Sequence, residues 1–250
     1  MSGAELYTSP ADNFLQEEVY RLGTSPGLRS LPPGPLRDFI LLSWGPLVYR
    51  TCYKRENKHL LPVFLRCLND AVSKSLGQTL IGSEKDHEEL TKSYSSKIFS
   101  TRDLYNDLDE EGVRRAFHDY KVSLVIPATD LPSRLRACLM VDDEVLSNLQ
   151  ASLDLCVMAK KSLDLDRCWV KVIEENFPDS RCGEQPYLAH SSKDGGGGAP
   201  DGKYQGWAMV ALPALVEVFD GIRKMKHLVE YYREGRVYLG QGKWSNQKPS

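Results

Sequence analysis

Arg50 is the residue whose position most directly suggests chemistry, because it interrupts a segment that otherwise alternates like an apolar strand. The segment 44–53 begins with a Gly-Pro turn, and a period of two then places Tyr49 and Tyr53 on one face and Arg50 on the other. A partly buried arginine needs an acidic neighbour, an exposed face or a ligand. We therefore expect Arg50 to pair with a carboxylate, because an acidic neighbour holds a partly buried arginine far more often than a bound molecule does, and contact with a ligand is the alternative.

Acidic residues at 142–144 form a second group with the types and spacing for chemistry. Two carboxylates in a cleft could act as acid and base or hold Mg²⁺. The start of a helix also favours acidic side chains, because they cap free N–H groups and complement the helix dipole. We interpret this triplet, and the similar run at 107–111, as helix N-termini.

Cys182 and His190 could form a nucleophile and its base, but they lie in a glycine-rich segment that cannot hold them in register. The four glycines at 195–198 lack the lysine and hydroxyl residue of a phosphate-binding loop. The six cysteines are widely spaced, and no histidine pair has the spacing of a zinc ligand set. The sequence predicts reduced thiols, no metal and no cofactor.

Aromatic side chains on the predicted strands lie near Arg50 and Lys171, an arrangement that could stack the bases of a single-stranded nucleic acid. Ribonucleoprotein signatures are missing, and the formal net charge is −2. We therefore expect no nucleic-acid partner and interpret the aromatic residues as sheet packing. They are Tyr49, Tyr53, Trp169 and Trp207.

The periodicity of apolar residues predicts an α+β fold with a small, mostly antiparallel sheet of about four strands packed against several helices. Helices and strands alternate irregularly, and no glycine fingerprint of a nucleotide-binding fold follows a strand. Helices are predicted over 61–76 and 84–95, after Asp109, after Asp142 or Asp143, and from 215 toward Gly235. Strands are predicted at 47–53, 136–141, 168–174, 206–212 and 236–239.

The composition predicts one domain flanked by tails. Residues 1–37 are rich in proline, which predicts a flexible N-terminal tail with one short helix near 13–22. Residues 241–250 are predicted to form a C-terminal tail. A single α+β domain is expected over 38–240, with a disordered excursion at 178–203. No signal-like segment or apolar run of about 20 residues is present, which predicts a cytoplasmic or nuclear protein without membrane contact.

Five motifs follow one another along the chain: a Tyr-Arg-Thr-Cys-Tyr strand end at 49–53, the helix after Asp109, the strand before Asp142, Trp-Val-Lys-Val at 169–172 and Gly-Trp at 206–207. Their order resembles that of a family of uncharacterised proteins abundant in filamentous fungi. The resemblance spans about 44–220; Ala208 stands where the family pattern has Met, Met209 follows one place later, and the glycine-rich excursion is an insertion. It implies a fungal source and an α+β domain, and assigns no activity or catalytic residue.

The sequence contains no recognised catalytic motif, so the leading interpretation is a non-catalytic domain that binds a protein partner or a small ligand. The alternative is an accessory enzyme that acts on a small organic molecule in fungal specialised metabolism. An enclosed pocket with two perturbed ionisable groups would favour the enzyme, and a flat exposed patch would favour the binding domain. The candidate ligand-binding residues are Tyr49, Arg50, Tyr53, Lys171 and Trp207.

Overall fold

A seven-stranded mixed sheet forms the centre of the protein in a computed structural model that describes residues 9–20, 33–124, 132–175, 177 and 204–246. The strand order is β2-β1-β3-β4-β5-β6-β7. The strands are β1 (Leu47–Arg50), β2 (Lys97–Phe99), β3 (Ala137–Val141), β4 (Trp169–Glu174), β5 (Trp207–Ala211), β6 (Val237–Gly240) and β7 (Lys243–Trp244).

Eight α-helices accompany the sheet in the described part of the chain. They are α1 (Pro10–Leu15), α2 (Pro35–Leu42), α3 (Leu60–Thr79), α4 (Glu84–Ser93), α5 (Arg102–Tyr105), α6 (Glu110–Ser123), α7 (Asp143–Ala159) and α8 (Leu215–Arg223). A π-helical turn (Gln16–Tyr20) continues α1, and short 3₁₀ turns lie at Ser133–Leu135, Leu165–Arg167, Leu212–Ala214 and Leu228–Tyr231. No helix among the described residues is both long and apolar enough to cross a membrane.

The chain is α+β, but the expected small, mostly antiparallel sheet of about four strands is wrong. β1 runs parallel to both of its neighbours, β2 and β3, and β5 runs parallel to β6. The sequence analysis missed β2 because its three residues are only partly buried or exposed and form no apolar run. Strand order and direction depend on the path of the connecting helices, which local periodicity does not report.

Two hydrophobic cores lie on opposite faces of the sheet, and successive side chains of β1 pack alternately in one and the other. Val48 packs in the first core, with buried residues of α1, α3, α7 and α8. Leu47 and Tyr49 pack in the second core, with Ile40 of α2 and Phe117 of α6. Helices therefore cover both faces of the sheet, as period-two burial on both sides requires.

The predicted helix starts are confirmed in detail. Ser83 and Asp86 form a capping box at α4. Asp109 and Asp142 accept hydrogen bonds from the backbone N–H groups of the third helical residues of α6 and α7, at 2.8 and 2.9 Å. These contacts satisfy helix N–H groups that have no intrahelical partner.

The last helix is shorter than expected, because α8 ends at Arg223 instead of continuing toward Gly235. Met225 adopts a left-handed backbone conformation with φ 64°. The N–H of Lys226 then donates to the carbonyl of Gly221 at 2.9 Å, and the N–H of Met225 donates to that of Ile222 at 3.1 Å. This is the double hydrogen bond of a Schellman ending, which stops the helix.

Part of the segment expected to be a flexible tail lies in the core. Phe14 is only 1% exposed, and Ala11, Leu15 and Val19 are also buried in the first core. At the other end of the chain, β7 continues the sheet beyond residue 240. The expected excursion at 178–203 lies outside the described residues.

Candidate functional site

The carboxyl ends of β1 and β3 lie at a switch point of the sheet, where successive connections lead to opposite sides of β1. From β1 the chain passes through α3 to β2, which lies on one side of β1. From β2 it passes through α6 to β3, which lies on the other side of β1. These two helices pack against opposite faces. In open sheets of this type, a crevice outside the strand ends at such a point is the usual ligand site.

Three loops meet there, and we call the surface they form the carboxyl edge. It consists of the loop 51–59 after β1, residues 107–110 at the start of α6, and residues 142–144 at the start of α7. The N–H of Thr51 donates to the carbonyl of Val141 at 3.0 Å, and the N–H of Asp107 donates to the carbonyl of Thr51 at 2.9 Å. The backbone itself therefore joins the three loops into one surface.

Arg50 ends β1 at the carboxyl edge and does not pair with a carboxylate within the described residues. Its Nε donates to the carbonyl of Cys52 at 2.7 Å, and its guanidinium carbon lies 4.5 Å from the ring centroid of Tyr53. The ion pairs found among the described residues do not include Arg50. The structure therefore excludes a described carboxylate as the partner of Arg50, and an exposed face or a ligand remains.

Lys171 projects from β4 into a cluster of three carboxylates. Its Nζ lies 2.6 Å from Asp142, 2.8 Å from Glu110 and 3.1 Å from Glu144. The same nitrogen lies 5.2 Å from the ring centroid of Trp207. Burial would lower the pKa of Lys171, but hydrogen bonds and charge attraction from Asp142 and Glu110 outweigh it and raise the pKa. Lys171 therefore remains cationic throughout the neutral range.

Asp143 ties the loop after β1 to the start of α7. Its two carboxylate oxygens accept from Lys54 Nζ and Asn57 Nδ2, each at 2.6 Å. The Cys52 thiol is 3.3 Å away. The hydrogen bond from Lys54 is the largest influence on this carboxyl and lowers the pKa of Asp143.

The five candidate residues form two contacting pairs and one core residue, and Lys171 of the second pair is itself buried. The carboxyl edge brings Arg50 together with Tyr53, and Lys171 together with Trp207. Tyr49 is fully buried in the second core and stacks on Phe99 with ring centroids 4.5 Å apart. Its side chain is placed to pack the core rather than to contact a ligand.

Sequence reasoning missed the contribution of Glu110 and of the Asn57 contact to Asp143. Helix capping is what the sequence predicts for the acidic runs at 107–111 and 142–144, and Asp142 does cap α7. Asp142 uses its other oxygen for Lys171. A lysine on a strand that is otherwise apolar was the signal that an acidic partner had to be nearby.

Cys52, Cys67, Cys138, Cys156 and Cys168 are free, and Cys182 lies outside the described residues, as does His190. In the described ranges, no group of three or more acidic, histidine or cysteine side chains is arranged to hold a metal ion.

One enclosed cavity contains two perturbed ionisable groups, Glu18 and Arg134. Burial raises the pKa of Glu18, whereas burial lowers the pKa of Arg134 to about 10. Both carboxylate oxygens of Glu18 accept from the N–H of Ser133, at 2.8 and 3.1 Å. The cavity measures about 10 Å³, which is room for about one water molecule. It is too small to admit a substrate.

Comparison of the chain with models of known families, with curated proteins and with solved structures finds no match.

Proposed function

We propose that this protein is a non-catalytic α+β domain that binds a protein partner or a small ligand at the carboxyl edge. The observation that carries the proposal is that ionisable groups at this edge are held in their charged forms. The pKa of Lys171 is raised and the pKa of Asp143 is lowered, so neither group exchanges protons near neutral pH. Fixed charges suit recognition, whereas acid–base catalysis needs a group whose pKa lies near the working pH.

The position of the edge supports the same proposal. It lies where the chain leaves β1 through α3 and β2 through α6, two helices on opposite faces of the sheet, and part of it is open to solvent. The side chains of Lys54, Asp143 and Glu144 are 56%, 45% and 50% exposed. A partner would therefore meet a rigid surface of fixed charges without prior rearrangement of the fold.

The alternative of an accessory enzyme has less support. Two perturbed groups do share an enclosed cavity, but its volume accommodates about one water molecule. The fungal source, the cytoplasmic or nuclear location and the absence of nucleic-acid binding remain predictions from the sequence.

Native mass spectrometry of the intact protein incubated with a small-molecule extract tests the proposal. We expect a bound species that is released with its mass unchanged. Release of a species with an altered mass, in amounts exceeding the protein, would overturn the binding proposal in favour of the enzyme.

A further inference from the structure

Arg50 is the cation of the carboxyl edge whose side chain is oriented and yet has no acidic partner in the described chain. The hydrogen bond from Nε to the Cys52 carbonyl uses one of its five N–H groups. The ring of Tyr53 supports the guanidinium plane at 4.5 Å. The two terminal nitrogens make no hydrogen bond to a described residue, and they carry the N–H pair that binds carboxylate or phosphate oxygens.

Asp142 and Asp143 at the start of α7 do not neutralise Arg50, because Lys171 and Lys54 already engage them. Asp143 accepts from Lys54 and Asn57, and Asp142 accepts from Lys171. Each contact is 2.6 Å long. The charge of Arg50 therefore remains available to a molecule that approaches the strand ends.

Tyr53 supplies a second observation that points to the same place. Its hydroxyl oxygen is buried and has no hydrogen-bond partner among the described residues. A buried hydroxyl without a partner costs free energy, and a bound acceptor oxygen would satisfy it. The donor thus lies on the same ring that supports the guanidinium of Arg50.

We propose that the carboxyl edge binds its ligand through an oxyanion, a carboxylate or a phosphate group, held by the terminal nitrogens of Arg50 above the ring of Tyr53. This inference rests on the proposed function and names the chemistry of what is bound. The position also fits the general preference of ligands for the crevice outside the carboxyl ends of strands at a switch point.

The test is a titration of the ¹⁵N-labelled full chain with inorganic phosphate and, separately, with acetate, at constant ionic strength. The signals followed are the Arg50 Nε–H and the backbone amides of 51–58. We expect saturable shifts with at least one anion, and the tighter anion identifies whether a phosphate or a carboxylate is preferred. Absence of any saturable shift at Arg50 would overturn the inference.

A matched pair of variants separates a specific site from general charge attraction. Arg50→Lys should raise the midpoint of the titration about fivefold, because an ammonium cannot reproduce the paired N–H groups. Arg55→Lys makes the same change at an exposed arginine of the same loop and should leave the midpoint within about twofold, as expected for a solvated charge. Equal effects of the two substitutions would overturn the inference.

The outcome also separates this inference from the proposed function. A species captured in the native mass experiment that binds at the carboxyl edge without any anion shift at Arg50 overturns the oxyanion site and leaves the binding surface standing. A saturable anion shift at Arg50, with the captured species bound elsewhere, supports the oxyanion site and overturns the proposed surface.

Discussion

Lys171 and Asp142 form an ion pair of 2.6 Å that joins the middle of β4 to the N-terminal cap of α7. Asp142 performs two functions, because one oxygen caps the helix and the other binds the lysine. Glu110 extends the contact to the start of α6. One buried ammonium group therefore positions two helix starts at the carboxyl edge.

Replacing this lysine should destabilise the protein strongly. Lys171→Met leaves three carboxylates close together without a cation, and we expect the free energy of unfolding to fall by about 3 kcal/mol. Urea denaturation at neutral pH measures the effect. Lys92→Met is the control, since Lys92 pairs with Glu88 at 2.8 Å on an exposed helix face, where solvent screens the pair, and the substitution should leave the urea midpoint close to that of the parent. Equal losses for the two variants would contradict a structural role for Lys171.

The lowered pKa of Asp143 predicts that the stability of the folded protein depends on pH in the acidic range. Its folded pKa is lowered by Lys54, so its contribution is present above the unfolded pKa of about 3.9 and is lost as pH falls through the lower folded value. Urea midpoints of the parent and of Asp143→Asn should therefore differ most at neutral pH and converge as the pH falls through the lowered folded pKa of Asp143. A difference that stayed constant down to acid pH would show that the carboxylate charge is not involved.

Arg50→Ala should have a smaller effect than the sequence alone suggested. A paired carboxylate would have implied a loss of about 3 kcal/mol on substitution. The structure instead gives Arg50 one backbone hydrogen bond and one aromatic contact, so we expect a loss of about 1 kcal/mol in urea denaturation. A loss as large as that of Lys171→Met would indicate a charged partner for Arg50.

Gly206 lies where the backbone of the chain entering β5 passes close to other groups. Its φ is +80°, and an added Cβ would meet Arg114 Nη2 and Phe177 Cγ, each at 2.5 Å. We expect Gly206→Ala to lower the melting temperature by an amount equivalent to more than about 2 kcal/mol. Gly242→Ala is the matched control, because Gly242 has φ +70° with no atom within 4 Å of the added Cβ, and backbone strain alone costs about 1 kcal/mol. Similar melting temperatures for the two variants would show that the close approach is not rigid.

The elements that could be predicted from the sequence are those set by neighbouring residues. The caps at Ser83, Asp109 and Asp142, and the opposite faces of Val48 and Tyr49, follow from interactions within a few positions.

The strand order and the full site depend on contacts that are distant in sequence. Glu110 and Lys171 are 61 positions apart and meet only because α6 and β4 lie side by side at the sheet end. β2 pairs with β1 through backbone hydrogen bonds, and the short, half-exposed sequence of β2 does not predict this pairing. Nothing in the periodicity of either segment specifies such a partner.

Hydrogen–deuterium exchange of the full chain, with and without the species captured by native mass spectrometry, tests the central claim most directly. Bound molecules slow exchange where they order or cover the backbone. We predict slower exchange in 51–58 and 142–146, with α4 (Glu84–Ser93) unchanged as the internal control. Slower exchange confined to α4 or to other surfaces away from the carboxyl edge would contradict the account.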